Sequence, residues 1–198
     1  GRKAIENAAE NFHLGSSGAG FGATTGQLKG GLGSASTILS NGTIVGALVV
    51  VNAMGNVVDP VSGKFWAAPF ELENEFGGFG SPANAIPGSM LQYSKLNSIK
   101  EGANSTIGIV ATNAKITKSE AKRIATSAHD GFSRAIVPSH LPYDGDLIFA
   151  VSTDEIETAH SNEDFAELCH LSSVTMSRAI ARAIYHASSS ENDTLNCF

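Results

Sequence analysis

The sequence predicts an α+β fold in which a sheet built partly from hairpins packs against helices. Two apolar runs separated by Asn41-Gly42 form a strong β-hairpin signal. Thr117 and Glu120 have the spacing of a capping box at the start of a helical segment, and residues 164–186 form a second, longer amphipathic segment. Hairpins flanked by helices indicate a layered α+β architecture, and 198 residues suit a single domain.

The first half of the chain predicts one helix, two hairpins and long loops. The apolar residues of segment 2–12 have helical spacing, and a glycine-rich loop follows them. The strands of the first hairpin are predicted at 35–39 and 43–52. A turn at 59–63 predicts a second hairpin. Residues 67–103 lack a regular pattern and predict a long loop.

The second half predicts strands that alternate with helices. Residues 106–112 form an apolar run typical of a buried strand, and the capped helix after it extends to about Arg134. Residues 147–152 predict another strand, between a proline-containing loop and the second long helix. We expect the chain beyond Ser188 to be frayed.

Composition and charge exclude several classes of protein. A formal net charge of −6 and the lack of a basic stripe give no attraction to nucleic acid or to an anionic membrane. No apolar run approaches the roughly 20 residues that span a bilayer, and no signal peptide opens the chain. A cytoplasmic protein is the default expectation. Because the chain starts at Gly1 within a helical pattern, we expect it to be the C-terminal part of a longer protein.

The sequence predicts neither a metal site nor a cofactor site. Cys169 and Cys197 share no short spacing, which argues against a disulfide framework and against a zinc knuckle. The six histidines lack a metal-binding spacing. The glycines at 15–22 follow a helix and lead into loop and strand, whereas a dinucleotide site needs them between a strand and a helix. We interpret these glycines as turns beneath the hairpin.

Segment 102–113 carries the most informative chemistry. Asn104 precedes Ser105 and Thr106 at the entrance to the apolar run. Hydroxyl residues at such a position usually just end the strand. If the bond between Asn104 and Ser105 were cleaved, Ser105 would carry both a hydroxyl and a free α-amine, whose reference pKa is roughly 7.7–8.0. Such an amine can act as the general base for its own hydroxyl, so the pattern also fits a self-cleaving N-terminal nucleophile.

Four further polar residues are candidates for the same chemistry. Asp144 and Asp146 alternate before an apolar strand, so their carboxylates can share one face. They form either a solvated turn or a pair that accepts hydrogen bonds from a nucleophile or its ammonium. Lys29 is a lone cation among glycines and uncharged residues, and a surface lysine is its ordinary interpretation. Asn52 ends an apolar run, and it is either a turn residue or an oxyanion donor.

Taken together, these residues resemble the L-aminopeptidase/D-esterase family of self-processing N-terminal-nucleophile hydrolases. That family includes β-peptidyl aminopeptidases and the nylon-oligomer endohydrolase, and the motifs of this chain are most similar to the latter. The matching segments are GQLKGGLGSAS at 26–36, GALVVVN at 46–52, ANSTI at 103–107 and DGDLIFAVSTDE at 144–155. The resemblance covers nearly the whole chain but only about the second half of a typical member.

The resemblance implies a fold and a set of residue roles. The family fold is a layered α/β/β/α sandwich, here incomplete at the N-terminus. Cleavage is implied between Asn104 and Ser105, so that residues 1–104 end one subunit and residues 105–198 form the other. The implied catalytic residues are the nucleophile Ser105, the oxyanion-hole residue Asn52, Lys29 near the nucleophile, and the acidic pair Asp144 and Asp146.

The resemblance also implies hydrolysis of a small amide or peptide substrate, without a cofactor, by a homo-oligomer of processed heterodimers. Two alternatives stay open. Glutamate N-acetyltransferases also self-process and have a related fold, so acyl transfer is the first. The second is an uncleaved, non-catalytic fragment, because in the family the upstream half supplies an active-site Tyr and much of the substrate pocket.

Overall fold

The computed structural model describes residues 2–83, 87–98, 104–156 and 161–198. Its helices and strands are, in chain order, α1 (Arg2–Glu6), β1 (Gly31–Ile38), β2 (Ile44–Val51), β3 (Ile107–Ala114), α2 (Lys118–Ala135), β4 (Leu147–Ile156) and α3 (Asn162–Tyr185). Short 3-10 helices lie in the connecting segments, at Gly18–Gly20, Ala68–Phe70, Pro87–Tyr93 and Lys95–Ser98. This mixture of helices and strands confirms the predicted α+β class.

The strands form one four-stranded sheet in the order β1-β2-β3-β4. β1 and β2 form the predicted hairpin, and Gly42 in its turn has a φ of +85° that favours glycine. β2 pairs antiparallel with β3, whereas β3 pairs parallel with β4. Since α2 connects the two parallel strands, both begin at the same edge of the sheet, where Ile107 and Leu147 are ladder partners. The residues that precede these two strands are therefore brought together.

Helices α2 and α3 cover one face of the sheet. Both begin with a capping box, as predicted for α2. α3 approaches β1 so closely that a Cβ on Gly33 would lie 1.9 Å from the carbonyl oxygen of Ala179. The largest fully buried side chains between the layers include Val45, Val49, Ile124, Phe132, Met176 and Ile180. Among the described residues, no helix combines the length and the apolar character needed to cross a membrane.

The opposite face of the sheet exposes apolar side chains. Leu48, Ile109 and Phe149 are cross-strand neighbours on β2, β3 and β4. All three are exposed, and Phe149 is 62% exposed, so no layer covers this face among the described residues. The chain thus supplies one helical layer and one sheet of the predicted sandwich.

The ends of α1 and β1 differ from their predicted positions. α1 ends at Glu6, although helical spacing continues to Phe12. All residues of α1 are exposed, so no tertiary packing stabilises a longer helix here. A segment this short is not a stable helix alone. β1 starts at Gly31, before the predicted start at Ala35, because it pairs with the whole length of β2.

The second predicted hairpin is a turn and not a pair of strands. A single bridge between Val58 and Phe65 closes it, and the Asp59 N–H donates to the carbonyl oxygen of Lys64 at 2.8 Å. The predicted loop 67–103 carries short 3-10 helices in its described part, and the rest of it lies outside the described residues.

The segment after α3 is docked onto the domain. The Lys29 N–H donates to the carbonyl oxygen of Asn196 at 2.9 Å, and the rings of Phe198 and Phe65 lie 4.5 Å apart. The expectation that the chain frays beyond Ser188 is therefore wrong. Contacts between residues far apart in the chain hold this segment, and such contacts leave no periodic sequence pattern.

Candidate functional site

Ser105 lies directly before β3, at the edge where β2 ends and β4 begins. Its N–H donates to the main-chain carbonyl oxygen of Asn52 at 3.0 Å, which continues the pairing of β2 with β3. Its hydroxyl donates to the carbonyl oxygen of Asn104 at 2.7 Å. The hydroxyl of the predicted nucleophile therefore lies against the carbonyl group of the bond that is predicted to be cleaved.

Gly145, in the turn before β4, contacts the same carbonyl group. Its N–H donates to the Asn104 carbonyl oxygen at 2.9 Å. A Cβ built on Gly145 would lie 2.4 Å from the Oγ of Ser105, so a side chain here would displace the hydroxyl. The Asp-Gly-Asp motif thus contributes its glycine to the site as well as its carboxylates.

The two carboxylates of this motif hold the backbone around Ser105. Asp144 accepts the Met54 N–H at 3.1 Å through one oxygen and the Leu141 N–H at 3.2 Å through the other. Asp146 accepts the Thr106 N–H at 2.9 Å. The predicted acidic pair is therefore brought to the predicted nucleophile, where it fixes the neighbouring main chain.

Both carboxyl groups have a raised pKa. Burial is the largest cause for Asp144 and for Asp146, and in each case a hydrogen bond from a backbone N–H opposes it. The His140 imidazole also lowers the pKa of Asp146, because its Nδ1 lies 3.1 Å from a carboxylate oxygen of Asp146. Sequence reasoning did not select His140, since it belongs to no recognisable spacing.

His140 also stacks in a small aromatic group behind the acidic pair. Its ring lies 5.2 Å from that of His129 and 5.7 Å from that of Phe132. Burial lowers the pKa of His129, with a smaller effect of the His140 charge in the same direction. Within the part of the chain that the structure describes, no three His, Cys, Asp or Glu side chains are grouped to hold a metal ion.

Asn52 follows β2 and shares a cleft with Ser105. Its Oδ1 accepts the Thr24 N–H at 3.1 Å, so its side-chain amide is oriented by the glycine-rich loop. The cleft has a volume of about 640 Å³, and its lining residues are Ala19, Gly22, Ala23, Thr24, Val50, Asn52, Ser105 and Ile107. An amide donor and a hydroxyl in one cleft are the groups that acyl transfer needs.

Lys29 is buried beside this cleft and not in it. Its Nζ forms an ion pair with Asp193, and the side chain of Lys29 is only 3% exposed. The pair lines a separate pocket of about 300 Å³. Residues 22–24 line both this pocket and the Ser105 cleft. The structure therefore places the predicted lysine behind the wall of the cleft, with a counter-ion that the sequence did not reveal.

Lys95 is a further candidate that sequence reasoning missed. Its Nζ donates to the carbonyl oxygen of Thr24 at 2.8 Å and to the Oδ1 of Asn104 at 3.3 Å. Burial lowers the pKa of Lys95 to about 8, and the charge of Asp144 opposes this effect. Lys95 lies in the predicted patternless loop, so no sequence signal distinguished it from an ordinary surface lysine.

Known proteins are similar in sequence to most of this chain. The family described as peptidase family S58 matches residues 1–195. An uncharacterised aminopeptidase of Mycobacterium tuberculosis is 42% identical over 156 residues, which cover 79% of this chain and 45% of that protein. The 6-aminohexanoate-oligomer endohydrolase of Paenarthrobacter ureafaciens is 31% identical over 175 residues, which cover 79% of this chain and 44% of that protein.

A solved structure shares the fold. The L-aminopeptidase D-Ala-esterase/amidase from Ochrobactrum anthropi, a variant of the Ntn-hydrolase fold, superimposes with a TM-score of 0.61 at 20% identity. The match covers 98% of this chain and 51% of that chain, so the described architecture is about half of the complete fold. The chain likewise spans about half the length of the curated relatives it matches. As the resemblance to the L-aminopeptidase/D-esterase family predicted, this chain belongs to peptidase family S58.

Proposed function

We propose that this chain carries the self-processing nucleophile of an amide hydrolase. The observation that carries the proposal is the 2.7 Å contact of the Ser105 hydroxyl with the Asn104 carbonyl oxygen, to which Gly145 also donates. A hydroxyl beside the carbonyl group and a backbone donor at its oxygen are two requirements of acyl transfer. The relatives named aminopeptidase and 6-aminohexanoate-oligomer endohydrolase support the same class of reaction.

Self-cleavage begins when the Oγ of Ser105 loses its proton and attacks the carbonyl carbon of Asn104. Negative charge then develops on the carbonyl oxygen, which the Gly145 N–H already contacts. The C–N bond breaks as the Ser105 nitrogen takes up the proton that the hydroxyl lost, and an ester remains between Asn104 and the Oγ of Ser105. Water hydrolyses this ester, which leaves a carboxylate on Asn104 and a free α-amine on Ser105.

In turnover, the α-amine of Ser105 accepts the hydroxyl proton while Oγ attacks the carbonyl carbon of a substrate amide. The main-chain carbonyl of Asn52, which already holds the Ser105 nitrogen, keeps the amine in place. The side-chain nitrogen of Asn52 donates to the oxyanion, a contribution worth about 3–4 kcal/mol in comparable sites. The protonated amine gives its proton to the leaving nitrogen, and water then hydrolyses the acyl-enzyme.

The charged residues of the site support this chemistry from outside the cleft. Asp146 fixes the main chain of Thr106, directly after the nucleophile, and Asp144 fixes that of Met54, after Asn52. Lys29, whose ammonium pairs with Asp193, forms a bridge with Thr24 in the wall of the cleft. We assign these residues positioning roles in the uncleaved chain.

The test is the intact mass of the protein expressed from its complete gene, compared with Ser105→Ala. Ser36→Ala, which changes an exposed serine of β1, is the matched control. We expect fragments that end at Asn104 and begin at Ser105 in the natural protein and in the control, and a single uncut species for Ser105→Ala. Cleavage at the same bond in Ser105→Ala, or amide hydrolysis by that variant at the natural rate, would overturn the proposal.

A second assay separates hydrolysis from the rival reaction. The cleaved protein is incubated with N-acetylornithine and glutamate, and free acetate and acetylglutamate are both quantified. A hydrolase produces no acetylglutamate, whereas transfer of the acetyl group without net hydrolysis would establish an acyltransferase in its place.

A further inference from the structure

Asn104 is the acyl donor of the first reaction that Ser105 performs in the proposed function, on which this inference rests. The ester formed in self-cleavage and the acyl-enzyme formed in turnover both use the Oγ of Ser105. An acyl residue on that oxygen extends into the space beside it, and before cleavage this space holds the side chain of Asn104. Asn104 is 4% exposed, so its side chain is enclosed by neighbouring residues.

The ammonium of Lys95 contacts the side chain of Asn104 in this space. Its Nζ donates to the Oδ1 of Asn104 at 3.3 Å and to the carbonyl oxygen of Thr24 at 2.8 Å. The main chain anchors it too, because the Lys95 N–H donates to the carbonyl oxygen of Met54 at 3.0 Å. Thr24 also lines the Ser105 cleft, so the ammonium is fixed to the wall of the site.

Electrostatics determine which acyl residue would suit this position. Burial lowers the pKa of Lys95 to about 8, so below that pH the group is a partly desolvated cation. Asp144 is close enough to raise this pKa, but its two oxygens accept backbone N–H groups of Met54 and Leu141. A buried cation favours an oxygen acceptor over an apolar group at the end of the acyl side chain, because only the oxygen can replace the hydrogen bond that Asn104 accepts from it.

We propose that Lys95 forms an acyl-residue subsite, filled by Asn104 before cleavage, that selects amides whose acyl residue bears a side-chain carboxamide or carboxylate. Asparaginyl and aspartyl amides place such an oxygen at the same number of bonds from the reacting carbonyl as Asn104 does. A leucyl group has the same branched shape without any polar atom. It is therefore the matched apolar substrate.

The experiment compares kcat/KM for the p-nitroanilides of L-asparagine, L-aspartate and L-leucine at about pH 7, with protein from the complete gene whose cleavage is first verified by mass. We expect the two polar substrates to exceed the leucyl substrate by about 10- to 100-fold, the range of a hydrogen bond to a charged group. In Lys95→Met, the preference for the two polar substrates falls to within about threefold. Lys95→Arg restores part of the preference, because the positive charge returns.

Two results would overturn the subsite. One is a natural protein that hydrolyses the leucyl substrate as well as the polar ones, a measurement that stands even when Lys95→Met fails to fold or to cleave. The other is a Lys95→Met enzyme in which all three values fall by the same factor, since that indicates a structural role. A cleaved, active enzyme with either result contradicts the subsite alone, whereas an uncut and inactive natural protein contradicts the proposed function itself.

Discussion

The main-chain N–H of Gly145 donates to the carbonyl oxygen of Asn104, and the two residues lie before parallel neighbouring strands. The donor is a backbone group, so no side-chain substitution removes it directly. Its position depends on the β3–β4 register, which places Ile107 opposite Leu147. The donor that would stabilise charge at the proposed scissile carbonyl is therefore positioned by the sheet.

Gly145→Ala tests this relationship. The new Cβ would lie 2.4 Å from the Oγ of Ser105, so the hydroxyl must move away from the carbonyl group. We expect self-cleavage to slow by about 100-fold, because misplacement of a reacting group by about 1 Å costs that much. The rate is measured as the uncut fraction over time on denaturing gels. Gly46→Ala, whose Cβ has its nearest neighbour at 4.0 Å, is the control, and equal rates for the two variants would contradict the prediction.

Asn52→Asp separates the hydrogen bond of the Asn52 side chain to Thr24 from its proposed role as an oxyanion donor. The variant keeps an oxygen that accepts the Thr24 N–H, but it replaces the proposed oxyanion donor with a second oxygen. We expect kcat to fall by about 10²- to 10³-fold with little change in thermal stability. Asn52→Ala should lose both activity and stability, since it also leaves the Thr24 N–H without its acceptor. A natural kcat in Asn52→Asp would remove Asn52 from the oxyanion site.

Asp193→Asn tests the ion pair behind the cleft. The hydrogen bond from Lys29 lowers the pKa of Asp193, so the carboxylate stabilises the fold above its ordinary pKa of 3.8 and loses that effect as pH falls through the lowered value. We expect Asp193→Asn to melt at a lower temperature than the natural protein at about pH 7, and the difference to shrink in acid. Glu191→Gln, an exposed change in the same segment, is the control. Identical melting of both variants at neutral pH would show that the pair does not contribute.

The lowered pKa of Lys95 makes the free energy of unfolding depend on pH in the alkaline range. Its pKa falls from 10.5 to about 8 on folding, so between these values the unfolded chain binds a proton that the folded chain lacks. The free energy of unfolding therefore gains a contribution that rises with pH across this window. In an uncleaved Ser105→Ala background, urea denaturation at about pH 7 and about pH 9.5 should show this rise, and Lys95→Met should remove it. Lys118→Met changes an exposed lysine, and it should retain the rise.

Local sequence signals predicted the elements that local interactions form. The Asn41-Gly42 turn and the Thr117–Glu120 capping box are short-range features, and the structure contains both. By contrast, the partner of Lys29 lies 164 positions away in the chain, within a segment that was expected to fray. No pattern of neighbouring residues encodes that contact.

The residues of the candidate site also differ in whether the sequence predicted them. Ser105, Asn52 and the acidic pair were selected for their chemistry beside apolar runs and for motifs that resemble a known family, and the fold brings them to one edge of the sheet. The contacts of Lys95 and Gly145 with Asn104 were not predicted. Lys95 lies in a loop without a regular pattern, and Gly145 acts through its backbone N–H. A side-chain motif reveals neither, because their chemistry comes from position and burial.

The β2–β3 ladder has a consequence for how cleavage would be observed. A break between Asn104 and Ser105 would put β2 in one polypeptide and β3 in the other, yet their pairs from Val45↔Thr112 to Val50↔Ile107 would stay hydrogen-bonded. The two pieces could separate only if the hydrogen bonds between β2 and β3 were broken. A native gel or a sizing column would therefore record one particle before and after the reaction, and only a denatured sample would show that the chain had become two.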